Sequence, residues 1–299
     1  MRNKRDFFLL SLLFLLARPL SFRSLQKVGG ALGRFCWHVV PFRKQVVLDN
    51  LRAAFGKEMD EAAIQALARD FYIQLGTTLM EFCGYWRLTR EQICDLVELE
   101  GEEHLEVLKA EGRGALLCSG HFGNWELLGA RAAAMGMSVS FLIKTQSNLQ
   151  VDQLQNDLRQ RAGVGVIRSG PSIKAMIRAL RSGGLIGLLG DQDAGRAGLF
   201  LDFLGRPASV FRGTAGLAWR LRCPVITGYI VRGPDGRHKV IIYPPIELDP
   251  SWDEDQAVET ISRIHTQRLE EMVRKHPDHY FWVHRRWKTR PATDEEDDS

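Results

Sequence analysis

The chain is poor in several features that would assign it quickly. Its five cysteines, at positions 36, 83, 94, 118 and 223, are odd in number and form no Cys-x-x-Cys pair. That excludes a closed disulfide framework and fits reduced thiols in a reducing compartment. No apolar run reaches the roughly 20 residues that a bilayer-spanning helix needs. There is no Gly-x-Ser-x-Gly, which argues against an α/β-hydrolase nucleophile elbow. There is no Gly-x-x-x-x-Gly-Lys-Ser/Thr loop and no Gly-x-Gly-x-x-Gly after a strand, so the common phosphate and dinucleotide cradles are missing. No Cys/His cluster has zinc spacing, and neither a metal nor a cofactor is expected. No internal repeat is visible. The net charge is only +4 over 299 residues. That is too weak to argue for nucleic acid, and it suits phosphate groups, acidic protein partners or an anionic membrane surface.

What is present is ordinary globular material, 45% hydrophobic and 25% charged, enough for one large domain or two small ones. Arg2, Lys4 and Arg5 precede an apolar run at residues 7–17, which ends at Arg18-Pro19. The run is too short to span comfortably, and no small-x-small cleavage site follows. The expectation is an interfacial membrane anchor over residues 1–20 with basic flanks; a buried core helix is the alternative. Residues 21–97 read as a helical region. It has helices at 21–40 and 46–55, and a further one starting at Asp60 and running through Leu75 to Trp86. Leu67, Phe71, Leu75 and Leu79 give that helix an apolar stripe at helical spacing, for which core packing is the default reading.

From residue 98 to 290 strands and helices alternate. Strands are expected at 115–118, 139–143, 164–167 and 185–189, with late strands at 224–231 and 239–242 joined around 233–236. Helices are expected at 105–110, 127–134, 151–161, 173–180, 210–221 and 256–275. This alternation predicts an α/β fold with a mainly parallel sheet flanked by helices. The acidic tail at 291–299 is expected to be disordered.

One stretch organises the rest: Cys118-Ser119-Gly120-His121-Phe122-Gly123-Asn124-Trp125-Glu126. It joins the first of these strands to a helix, the place where open α/β sheets put their chemistry. His121 and Glu126 are five positions apart, so they cannot share a face of one regular helix. They meet only if His121 precedes the helix and Glu126 lies in its first turn, with Asn124 as N-cap. Gly120 and Gly123 allow a tight bend and a close approach by substrate. A carboxylate on one ring nitrogen would leave the other as a general base. The helix start offers backbone N–H groups to a developing oxyanion. Asp191 and Gln192 follow a strand end and fit the same crevice, with a capping turn as the alternative. Arg168 follows another strand and fits a phosphate or a solvated surface site. His284, Arg285, Arg286 and Lys288 form a basic cluster suited to an acidic partner or lipid phosphates, and Trp282 and Trp287 beside it suit a membrane interface.

With Gly-His-Phe-Gly-Asn-Trp-Glu around it, the His-x-x-x-x-Glu pair resembles the signature of the bacterial late acyltransferases of lipid A biosynthesis, within the lysophospholipid-acyltransferase superfamily. The resemblance also rests on Asp191-Gln192-Asp193, on Phe203-Leu204-Gly205-Arg206-Pro207-Ala208 and on the closing segment from Tyr280 to Lys288, and it covers nearly the whole chain. One departure is Ile143-Lys144-Thr145, where many relatives carry Tyr-Arg-Pro; lysine keeps the charge but loses the bidentate fork. The resemblance implies a glycerolipid-acyltransferase-like fold and transfer of a fatty acyl group from an acyl-carrier-protein thioester to a hydroxyl of a membrane glycolipid, a lipid A precursor. It places this at the cytoplasmic face of a bacterial inner membrane. His121 would be the base, oriented by Glu126, with Asn124, Lys144, Arg168, Asp191, Gln192 and Asp193 meeting substrate. The aromatic stripe before residue 86 then has a second reading, as the wall of an acyl-chain pocket. Open alternatives are acylation of another glycolipid or lysophospholipid such as a phosphatidylinositol mannoside, a lipid hydrolase in which His121 activates water, and a non-catalytic lipid-binding scaffold.

Overall fold

The computed structural model describes residues 2–40, 42–170 and 172–291. The acidic tail from residue 292 onward lies outside the described residues. The chain opens with four helices: α1 (Arg2–Ala17), α2 (Phe22–Val39), α3 (Lys44–Phe55) and α4 (Glu61–Phe82). Ser21 caps α2 and Asp60 caps α4, each accepting a first-turn amide, as short polar side chains do at helix starts. A 3-10 turn at Tyr85–Arg87 and α5 (Arg90–Leu96) lead to β1 (Val97–Glu100).

The alternating part follows: α6 (Glu102–Ala110), β2 (Ala115–Ser119), α7 (Trp125–Ala134), β3 (Val139–Ile143), α8 (Leu149–Arg161), β4 (Val164–Arg168), α9 (Ile173–Arg181) and β5 (Leu185–Leu189). Then come β6 (Leu199–Phe203), β7 (Arg206–Val210), α10 (Gly213–Leu221), β8 (Val225–Arg232), β9 (His238–Ile242) and α11 (Glu254–Lys275). The main sheet has seven strands in the order β1-β9-β8-β2-β5-β3-β4. All neighbours run parallel except β8 and β9, which form an antiparallel hairpin. The α/β sheet expected from the alternation is present. β2, at its centre, is buried at all five residues, as a strand covered on both faces must be.

Several details depart from the sequence reading. The helix expected from 210 begins at Gly213, because Val210 is the last residue of β7. The β6–β7 ribbon has no counterpart among the expected strands; it turns at Leu204 and Gly205, both at positive φ. β1 is a further strand beyond those expected, at the sheet edge beside β9.

Helices α2 and α4 cross at backbone contact. A Cβ at Gly33 would lie 2.1 Å from the Tyr72 carbonyl oxygen, and one at Gly76 would lie 2.4 Å from that of Gly29. The amino-terminal helices share hydrophobic cores with the sheet region: Phe55, Phe71 and Tyr72 pack in one cluster with Phe122, Tyr229 and Trp282. Helix α1 is 16 residues long, and among the described residues no helix is long and apolar enough to cross a membrane. Ala17 at its end is buried in a small cluster with Leu25, Met80 and Cys83, whereas Phe8, Leu12, Leu15 and Leu16 are exposed. All five cysteines are free, and Cys83, Cys118 and Cys223 are buried.

Candidate active site

β2 and β5 pair in parallel with Ser119 opposite Leu189, and the Gly190 amide continues the ladder to the Ser119 carbonyl oxygen at 3.2 Å. His121 and Asp191 each lie two residues beyond that pair, so the register delivers both side chains to the carboxyl edge of adjacent strands. His121 Nδ1 lies 2.8 Å from Asp191 Oδ1. Gly120 permits this approach, because a Cβ there would come within 3.3 Å of the Asp191 carboxyl carbon. The Gly123 turn (φ 58°) presses on the protein itself: a Cβ would sit 2.0 Å from the Ile230 carbonyl oxygen. The close approach expected of substrate at these two glycines is therefore made by β8 and by Asp191.

Asp191 is almost wholly buried. Burial pushes its pKa up, but the His121 charge and hydrogen bond outweigh this and hold it below the usual carboxylate range. Burial likewise pushes His121 down, but the Asp191 carboxylate and, less directly, Glu126 lift it above its ordinary value. With Nδ1–H donated to Asp191, Nε2 is left with its lone pair. The imidazole is walled by Trp125, edge-on at 5.0 Å, and by Phe281 at 5.6 Å. Phe281 is fixed by pairing of the carboxyl-terminal segment with the His121 turn: its amide donates to the His121 carbonyl oxygen at 3.0 Å.

Asn124 caps α7 as expected, its Oδ1 accepting the Leu127 amide at 3.2 Å. Glu126 falls in the first turn of α7, also as expected, but its carboxylate does not meet His121. Arg159 of α8 holds it through Nε at 3.0 Å and Nη2 at 2.6 Å, with the Tyr85 hydroxyl at 3.5 Å. The carboxylate that meets the imidazole is Asp191 rather than the expected Glu126, because the strand register places Asp191 closer. Burial disfavours the Arg159 charge, yet Glu126 more than compensates and raises its pKa. The helix-start amides expected to serve an oxyanion are partly engaged: Gly123 N–H donates to His279 O and Leu127 N–H to Asn124.

His121, Glu126 and Arg159 border a cavity of about 600 Å³. Its walls are largely apolar: Leu75, Leu79 and Phe82 from α4, with Leu128, Phe141 and Leu188 from α7 and the sheet. Two residues of the apolar stripe on α4 thus face a cavity, while Phe71 is core. Lys144 stands exposed on the cavity border. Asn124 also borders the cavity, whereas Asp191, Gln192, Asp193 and Arg168 do not. Arg168 is committed to Asp152 at 2.5 Å. Asp193 accepts from the Thr289 hydroxyl at 2.9 Å, and its amide donates to His284 Nε2 at 2.9 Å, so it anchors the closing segment. Gln192 is half-buried and does not border the cavity. Within the basic cluster, Arg286 is buried and donates to the Ser209 carbonyl oxygen at 2.8 Å, and Trp282 is fully buried, which removes both from any membrane or docking surface.

A second acid–base cluster, not signalled by any local pattern, lies behind the site. Glu81 of α4 is fully buried and accepts from Arg232 (2.9 and 2.6 Å), Gln26 (2.8 Å), Asn124 (2.8 Å) and His238 (3.0 Å). Burial opposes its charge, but His238 and Arg232 dominate and drive its pKa far down. This network holds the cap of α7 from behind. Glu81 sat in a segment that read as an ordinary amphipathic helix, so no local signal exposed it.

The model of the bacterial lipid A biosynthesis acyltransferase family matches residues 2–289. The lipid A biosynthesis lauroyltransferase of Escherichia coli (strain K12) is 29% identical over 91% of this chain and 88% of its own length. The palmitoleoyltransferase of the same pathway and strain is 26% identical over 89% and 85%. Among solved structures, the 1-acyl-sn-glycerophosphate acyltransferase of Thermotoga maritima aligns over 91% of this chain and 99% of its own, with 15% identity and a TM-score of 0.41. The chain belongs to the bacterial lipid A biosynthesis acyltransferase family and is an acyltransferase.

Proposed function

We propose that the protein moves a fatty acyl chain from an acyl-carrier-protein thioester to a hydroxyl of a lipid A precursor, with His121 as general base. The observation that carries this reading is the His121–Asp191 pair, 2.8 Å apart, at the border of a mainly apolar cavity. The acyl chain lies in the cavity with its thioester carbonyl beside His121. His121 Nε2 takes the acceptor proton as the hydroxyl oxygen attacks that carbonyl. The tetrahedral intermediate collapses, the carbon–sulfur bond breaks, and the imidazolium returns the proton to the leaving thiolate. No covalent enzyme intermediate is required, in keeping with the missing nucleophile elbow. Asp191 fixes the tautomer and stabilises the imidazolium, as the acid of a catalytic triad does. Glu126, clamped by Arg159, adds negative charge within the same cavity and supports the imidazolium from a distance. Lys144 on the border meets acceptor phosphate.

The reaction takes place at the cytoplasmic face of a bacterial inner membrane. The exposed apolar residues Phe8, Leu12, Leu15 and Leu16 of α1, followed by Arg18, support interfacial attachment there. The test supplies purified enzyme with an acyl-carrier-protein thioester, with and without the lipid A precursor. Acylated precursor formed by the wild type and lost in His121→Ala is the expected result. Release of free fatty acid at the same rate without acceptor would make the enzyme a hydrolase instead.

A further inference from the structure

The cavity has a structured inner limit. Leu117 of β2, Gly187 of β5 and Phe141 of β3 share one row across the sheet, since Leu117 pairs with Gly187 and Gly187 with Phe141. All three border the cavity. The row beneath it, Ala115, Leu185 and Val139, is buried core. At the centre of the bordering row the sheet carries no side chain, and the Phe141 ring occupies that place. A Cβ on Gly187 would lie 2.6 Å from the ring. On the other side, a Cβ on Gly129 of α7 would lie 2.3 Å from the ring tip. The ring is thus gripped between sheet and helix by two residues that have no side chain, and its remaining exposure is into the cavity. The Arg159 guanidinium stands 5.8 Å from the ring centroid, so the polar wall of the cavity passes directly into this floor.

We propose that Phe141, seated on Gly129 and Gly187, is the stop that sets the length of acyl chain the enzyme accepts. This rests on the reading of the cavity as the acyl-chain site. A rigid ring wedged between backbone surfaces cannot yield to a longer chain, because protein interiors are close-packed and extra methylenes force strain. Chains that fall short leave apolar wall uncovered and lose burial. Opposite changes at the stop therefore give opposite outcomes. Phe141→Ala deepens the cavity and favours longer donors. Gly187→Ala adds a methyl group at the floor and pushes the ring outward, since Gly129 leaves it no room to retreat, and favours shorter ones.

The test measures transfer from acyl-carrier-protein thioesters of even chain length between decanoyl and hexadecanoyl in competition, using wild type, Phe141→Ala and Gly187→Ala. Each variant is expected to change the long-to-short product ratio by roughly tenfold or more, in opposite directions, the scale of discrimination by one or two methylenes in an apolar pocket. A second arm measures binding of free fatty acids of the same lengths to wild type and to each variant by isothermal titration calorimetry. It reads length preference without turnover, and Phe141→Leu serves there as a milder variant should alanine fail to fold. A length profile unchanged in both arms overturns the stop. A wild type that transfers from no donor overturns the acyl-transfer reading instead, and the binding arm then still decides whether Phe141 limits length.

Discussion

Two histidine–carboxylate pairs flank the Asn124 cap, alike in composition and opposite in setting. His121 meets Asp191 at 2.8 Å and His238 meets Glu81 at 3.0 Å. The His121 side chain keeps 20% of its surface exposed and borders the cavity, whereas His238 and Glu81 keep none. Glu81 is saturated by donors from Arg232, Gln26, Asn124 and His238. A carboxylate fully satisfied in the interior is locked, and its value is structural, because removing a partner strands a buried charge. A carboxylate that holds one nitrogen of a reachable imidazole leaves the other nitrogen free to act. What separates the proposed proton-transfer site from a structural clamp is access and spare hydrogen-bonding capacity, not residue type.

That contrast can be broken from either side. The largest effect belongs to the sealed pair. Glu81→Ala leaves Arg232 and His238 buried without their anion, and urea unfolding should show a loss of about 3–5 kcal/mol. A variant as stable as wild type would remove the clamp. Next comes His121→Ala, expected to keep the circular dichroism of the wild type while acyl transfer falls by roughly 100-fold or more, the usual scale for loss of a general base. Near-normal turnover would end the proposed mechanism.

Asp191→Asn is expected to cost roughly tenfold or more and also to move the pH profile. In the proposed mechanism His121 works as the neutral imidazole, and Asp191 raises its pKa above the ordinary histidine value. Activity of the wild type should therefore fall as pH drops through the raised pKa of His121, and the asparagine variant should carry that acid limb to lower pH. An unmoved limb in kcat/KM against pH would assign it to another group. The smallest effect concerns the donor. Arg285, Lys288 and Arg290 are exposed, whereas Arg286 is buried and serves the fold. Reversing Arg285 and Lys288 should raise KM a few-fold for an acyl-carrier-protein donor, less for acyl-coenzyme A, and more strongly at low salt, because docking of an acidic protein depends on patch complementarity. Equal changes for both donors would remove the carrier protein from this patch.

Local rules carried the sequence reading far. The βα alternation, the Asn124 cap, the placing of His121 before α7 and Glu126 in its first turn, and Asp191 at a strand end all follow from periodicity and turn chemistry within a few residues. The β6–β7 ribbon was hidden because five-residue strands around a turn give a weak pattern that a neighbouring helix can absorb. Arg159 was one arginine among many, and nothing within its own helix distinguished it.

By itself the sequence determined the layered α/β sheet, the turn that carries the histidine and the absence of an apolar run long enough to span a bilayer. The tertiary structure alone decided which carboxylate reaches that histidine. His121 and Asp191 are 70 positions apart and meet through the register of β2 against β5. Glu126, five positions away, was drawn off by Arg159, 33 positions further along. Hydrogen-bonding partners between distant segments are fixed by packing and register, and a local pattern does not record them. The same holds for Arg286 and Trp282, whose charge and aromaticity pointed to a surface and whose packing against β7 and the amino-terminal helices placed them inside.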